Sequence, residues 1–235
     1  MAAYQIGIDE VGAAAWAGPM GMAGVVINRW GMERKPRDCK SFSSHSARVT
    51  YLKRALDTSD FDYVFVLIPP AFIDRAGMTE ARRLGVFFIT TSFMEGLGYD
   101  DNDIETIIDG KYNFGANKHL IKGDTKLLNI SFASVIAKVL RDKVMTTVFD
   151  EDHDYWLWKS NKGYYSKSHL ERVKQYGLTD WHRRRWRINI DARESDVRVG
   201  NADDVVIVTG KDVLEDVDKF NKKIAYKRYK VNFIM

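Results

Sequence analysis

Tyr4-Gln5-Ile6-Gly7-Ile8-Asp9-Glu10 decides the fold: a largely apolar run that ends abruptly in two acids. Such a run suits a buried strand, and the carboxyl ends of strands are where open α/β sheets present ligand groups. A second run, Thr106-Ile107-Ile108, stops the same way at Asp109-Gly110, and a further acid, Asp124, follows Lys122-Gly123 at the mouth of a strongly helical stretch. Carboxylates brought together repel unless a cation lies between them. The pattern therefore points to a divalent-metal site.

Outward from this stretch, Gly12 to Pro19 reads as a small-residue turn, and Met20 to Asn28 as a second strand antiparallel to the first. Tyr63 to Ile68 gives a third strand, Ile104 to Asp109 a fourth, and a short fifth lies near His119-Leu120-Ile121. Helices are expected over Ser43 to Asp57, Ala71 to Leu97 with a break near Gly77, Asn129 to Phe149, and Ser166 to Gln175. The result is an α/β chain with a mixed β-sheet of about five strands, the first three antiparallel, flanked by α-helices. After Arg193 the character changes. Asp203 to Val208 reads as a strand, Asp212 to Asn221 as a helix, and a basic end follows. Residues 1–193 are thus expected to form one domain and 194–235 a C-terminal appendage with no legible role.

Composition sets bounds on function. No apolar run reaches the roughly 18 residues that span a bilayer, and Met1-Ala2-Ala3 leads straight into a strand without the basic region of a secretory leader. The single cysteine, Cys39, excludes an internal disulfide framework and suits a reducing, cytoplasmic setting; it reads as a packing residue. The net charge of +4 hints at a polyanionic partner. Trp181-His182-Arg183-Arg184-Arg185-Trp186-Arg187 concentrates that charge. It reads equally as a nucleic-acid groove or as a basic edge anchored to the core by its tryptophans.

Several separated motifs, in order, resemble ribonuclease HII. They are Gly7-Ile8-Asp9-Glu10-Val11-Gly12 with Ala17-Gly18-Pro19, Asp38-Cys39-Lys40-Ser41-Phe42-Ser43, and Ile108-Asp109-Gly110. Lys122-Gly123-Asp124 follows, with Ala133-Ser134-Val135-Ile136-Ala137-Lys138-Val139 and Arg141-Asp142. Lys162-Gly163-Tyr164 with His169, and His182-Arg183, complete the series. The resemblance implies an RNase H-like sheet and an endonuclease that hydrolyses the RNA strand of RNA/DNA hybrids, including ribonucleotide-containing DNA. It also implies a 5′-phosphate, a 3′-hydroxyl, and a requirement for Mg2+ or Mn2+. By position, Asp9, Glu10, Asp109 and Asp124 become the catalytic residues and metal ligands. The chemistry suits these residue types: two hard cations roughly 4 Å apart activate a water and stabilise the leaving oxygen, and such ions take oxygen ligands without a His or Cys cage. Lys40, Lys122 and Ser134 are expected on substrate phosphates, Tyr164 against the sugar at an RNA–DNA junction, and Arg183 among the substrate contacts. Asp142 is expected to be a structural acid or one that supports the ligands rather than a ligand itself, and His169 and His182 are expected to be structural, with His182 near the site.

One segment departs from the family. Where ribonuclease HII carries Gly-Arg-Gly, gripping the ribonucleotide 2′-hydroxyl and its phosphate, this chain has Gly12-Ala13-Ala14. A backbone contact survives at Ala13 or Ala14 unless the lost glycine needed positive φ, and the charge-assisted phosphate contact is gone. Two other readings therefore stand beside the hybrid nuclease: a non-catalytic nucleic-acid-binding module of the same fold, and a divergent nuclease acting on DNA or branched junctions. A monomer with no membrane association is expected.

Overall fold

The computed structural model describes residues 3–29, 37, 39–56, 60–147, 154–185, 194–195, 205–210 and 227–229. Seven strands are present among the described residues: β1 (Tyr4–Val11), β2 (Met20–Arg29), β3 (Asp60–Ile68), β4 (Ile104–Asp109), β5 (Lys118–Leu120), β6 (Val205–Gly210) and β7 (Lys227–Tyr229). They form one sheet in the order β5-β4-β1-β2-β3-β6-β7. β1, β2 and β3 pair antiparallel in succession, as the sequence implies, whereas β4 runs parallel to β1 and β5 parallel to β4. The C-terminal strand expected near residues 203–208 is β6, which continues the same sheet antiparallel along β3. β7, three residues long, carries too short a pattern to read from sequence. The helix expected over 212–221 lies outside the described residues.

The described residues contain six α-helices: α1 (His45–Leu56), α2 (Pro70–Ala76), α3 (Met78–Thr91), α4 (Leu128–Thr147), α5 (Trp158–Asn161) and α6 (Lys167–Tyr176). The break near Gly77 is real, and Gly77 separates α2 from α3. Strand alternation sorts the core into two layers. Ile6, Ile8, Met20, Met22, Val64 and Val66 bury against Phe72, Ala81, Val86 and Ile89 of α2 and α3. Val25, Phe61, Tyr63 and Phe65 bury on the other side, against Phe132, Val135, Ile136 and Val139 of α4. No helix among the described residues is long and apolar enough to cross a membrane.

α4 sets the position of everything around it. Gly7 is what lets it lie so close: a Cβ there would come within 2.5 Å of the Ile130 nitrogen. Asn129 fastens the contact by donating from Nδ2 to the Gln5 carbonyl at 3.0 Å. The residue two further along β1 on the same face is Asp9, so the strand delivers an acid to the α4 surface.

Candidate active site

The parallel register of β1 and β4 pairs Gly7 with Ile107 and Ile8 with Ile108, which sets Asp9 and Asp109 side by side at the carboxyl ends of neighbouring strands. Asp124 arrives from the turn Gly123–Thr125 that precedes α4. Lys122 takes a left-handed conformation (φ 56°), and the following Gly123 amide donates to Asp109 Oδ1 at 2.6 Å. The Lys-Gly-Asp motif is thus a turn that both anchors one acid and supplies the next.

Asp9, Glu10, Asp109 and Asp124 line one cavity of about 400 Å³, together with Lys40, Ser134 and Tyr164. Val11, Cys39, Arg48, Gly110 and Lys138 complete its wall. Asp9 is nearly buried (9% exposed) and accepts hydrogen bonds from the Glu10 amide, at 2.7 Å, and from Ser134. Burial, with smaller contributions from the Asp109 and Glu10 charges, pushes its carboxyl up to about 8 despite those bonds. A cation placed here would reverse that balance. Glu10, one residue on, points to the opposite face of the sheet, where Arg82 of α3 donates Nε to Oε2 at 2.7 Å and Nη2 to Oε1 at 2.5 Å.

The donor chemistry fits Mg2+ or Mn2+. Four carboxylates offer hard oxygen donors, no histidine among the described residues lines the cavity, and burial pushes the Cys39 thiol up, away from the thiolate that would favour a softer metal. As they stand, no three of the described acidic, histidine or cysteine side chains form a group able to hold an ion. The engagement of Glu10 with Arg82 is a visible contributor.

Other expected site residues lie elsewhere. Lys122 is exposed and outside the cavity wall. Gly12, Ala13 and Ala14 also lie outside it. The left-handed residue of their turn is Gly12 (φ 78°), which this chain keeps; neither alanine has positive φ, so the turn imposes no strain on them. A Cβ at Gly12 would come within 2.1 Å of Arg141 Nε. Arg183 lies inside the fold. It is fully buried, and its guanidinium donates to the carbonyls of Gly18 (2.9 Å) and Ala13 (3.0 Å), so it clamps the turn from inside. Arg141, also fully buried, donates to Pro19, Ala17 and Lys162 carbonyls and ties the same turn to the loop bearing Tyr164.

The basic run after residue 180 is divided in the same way. Trp181 is buried and stacks on Trp158 at 5.9 Å, and Arg184 pairs with Glu194 at 2.5 Å. The described part is an anchored edge; Trp186 and Arg187 lie outside the described residues. His169 and His182 are buried structural residues, and Asp142 binds Lys138 at 2.8 Å away from the cavity wall. Lys138 and Arg48 line the site without having been singled out. Lys138 was within reach of the sequence, since it follows Ser134 by four residues and so shares its helix face.

Comparison with known proteins identifies the family and the fold. The family model for ribonuclease HII matches residues 100–189. Ribonuclease HII from Rickettsia bellii is 30% identical over 179 residues, covering 75% of this chain and 86% of the relative. The crystal structure of ribonuclease H2 from Pyrococcus horikoshii superposes with a TM-score of 0.59 at 23% identity, over 78% of this chain and 94% of that one. A structure described as Bst-RNase HIII in complex with Mn2+ has a TM-score of 0.53 at 15% identity, over 73% and 61%. With its acids gathered at the ends of β1 and β4 and its sequence aligned along three quarters of its length, the chain belongs to the ribonuclease HII family of RNase H-type endoribonucleases.

Proposed function

We propose that the acid-lined cavity is a divalent-metal hydrolytic centre that cuts the RNA strand of RNA/DNA hybrids, leaving a 5′-phosphate and a 3′-hydroxyl. The observation that carries this reading is the convergence of Asp9, Glu10, Asp109 and Asp124, from separate parts of the chain, on one cavity that also presents Lys40 and Tyr164. A binding-only protein has no use for four carboxylates facing a polyanion. The Mn2+-bound ribonuclease HIII of the same fold supports the metal assignment.

In this reading Asp9, Asp109, Asp124 and, once released from Arg82, Glu10 hold Mg2+ or Mn2+. When bound, the ions supply an activated water and charge stabilisation at the leaving oxygen. The protein does the rest. Lys40, with Arg48 and Lys138, sets positive charge against the scissile strand, and Ser134 fixes the Asp9 carboxylate. Tyr164 offers an aromatic face held over by two cations, with Arg141 5.2 Å and Lys138 5.4 Å from the ring centroid. Its ring suits stacking on a sugar.

The test is cleavage of a labelled RNA strand in a continuous hybrid. Asp109→Asn removes one ligand charge while keeping the shape that accepts the Gly123 amide, and should lower the rate at saturating Mg2+ by at least about 10³-fold. A variant that cuts within tenfold of the parent would remove Asp109 from the chemistry.

A further inference from the structure

Successive residues on a strand face opposite ways, and this separates the two adjacent acids of β1. Asp9 meets α4; Glu10 meets α3. α3 is held tightly to the sheet there, because Gly85 leaves room for the Met22 sulfur, which would lie 2.2 Å from a Cβ at that position. Arg82, one turn earlier, is therefore carried to Glu10 by a fixed backbone. Its guanidinium takes both carboxylate oxygens and also lies 5.1 Å from the Phe114 ring centroid in the β4–β5 connection. The two side chains are only 23% and 21% exposed, so this is a shielded, bidentate pair rather than a mobile surface contact.

We propose that Arg82 is a positioning residue that stands in for a cation on Glu10, so that divalent-ion binding at the acid cavity must first draw Glu10 away from the guanidinium. The inference rests on the reading of the four acids as metal ligands. Two effects act in the same direction. A carboxylate with both oxygens engaged offers an incoming ion only its remaining lone pairs, and a fixed positive charge beside the cavity repels a dication. Arg82 therefore weakens metal binding in the free protein and holds the site in a waiting state. The same pair keeps Glu10 from adding its charge to the already crowded Asp9 and Asp109.

The experiment is calorimetric titration of Mn2+ into the full-length protein without substrate. Arg82→Gln should bind Mn2+ roughly tenfold more tightly than the parent, the scale of a lost charge-assisted bidentate pair. Arg82→Lys, which keeps the charge but not the fork, should fall between the two. In a Glu10→Gln background the gain from Arg82→Gln should shrink. A merely structural role predicts the opposite sign, because a loosened site binds metal less well. Unchanged or weaker Mn2+ affinity in a cooperatively folded Arg82→Gln protein would overturn the proposal. Should that variant not fold, Arg82→Lys decides alone: affinity no better than the parent overturns it. Asp109→Asn separates the two layers of the argument. Parent-like Mn2+ binding by Asp109→Asn would sink the ligand assignment itself, whereas weakened binding there with no gain in Arg82→Gln would sink only the role of Arg82.

Discussion

Gly7 shows how single positions set the site. The modest run of Ile6, Gly7 and Ile8 looks like any buried strand, yet the absent side chain at Gly7 lets α4 approach β1 closely enough for Ser134 to reach Asp9. Gly7→Ala should destabilise the protein by about 1–3 kcal/mol, the range for forcing a methyl into a filled contact. Urea unfolding measures this; a loss below about 0.3 kcal/mol would show that α4 moves aside freely. At this scale the acids were legible, because an acid ending an apolar run is anomalous in itself. Arg82 was not. One arginine in Glu80-Ala81-Arg82-Arg83 looks like any other, and only the sheet brings it to a residue 72 positions away. The burial of Arg183 was not legible for a related reason: an arginine in a basic run reads as surface, whereas its bonds go to buried carbonyls.

At the level of elements, the loop bearing Tyr164 depends on a chain of neutral histidines. The Thr179 amide donates to His182 Nδ1 at 2.9 Å, which leaves the proton on His182 Nε2. That nitrogen lies 3.2 Å from His169 Nε2, and His169 Nδ1 is 2.9 Å from the Tyr164 carbonyl. Read in this direction His182 donates to His169 Nε2, which also accepts from the Trp158 indole nitrogen at 3.3 Å, and neither ring carries charge. Burial holds both rings below the usual histidine range, with His182 lowered further by the neighbouring His169 and Arg184. Because the folded values are depressed, this contribution to stability is present above about pH 6.5, the unfolded value. It is lost as the pH falls through the folded values. Asp9, raised rather than lowered, works in the other direction, adding stability as the pH falls from 8. The measurement therefore belongs in an Asp9→Asn background. There, unfolding free energy should be level above pH 7 and fall below 6.5 by up to about 1.4 kcal/mol per pH unit for each histidine. A flat profile down to pH 5 would mean that the rings already carry protons in the native state. The helix from Ser166 was readable, and the Ser166 hydroxyl caps it by accepting from the His169 amide at 3.0 Å. The relay was not, since it joins residues from three separate loops and helices.

Across the whole molecule, charge and topology act together. The sheet order places β1 and β4 side by side, so two acid-ended strands share one rim, and the helices bring Arg48 and Lys138 to the same cavity. Carboxylates at the centre with positive side chains around them suit the dication and phosphodiester strand of the proposed function. The C-terminal strands extend this sheet beyond β3, away from the acids. The first five strands were legible from alternation and turn residues, whereas the place of β6 in the sheet was not, because a strand's sequence does not name its neighbour. The shape of the Gly12-Ala13-Ala14 turn is kept by Gly12, Arg141 and Arg183, and the arginine of the family motif is absent from it. The most direct measurement is a side-by-side cleavage assay with Mg2+ or Mn2+ on four labelled substrates of one sequence: a continuous RNA/DNA hybrid, DNA with one embedded ribonucleotide, pure DNA, and a branched junction. The account predicts efficient cutting of the continuous hybrid to 5′-phosphate and 3′-hydroxyl ends, slower cutting at the single ribonucleotide, and intact DNA and junction. Binding without cutting, or equal cutting of pure DNA, would contradict it.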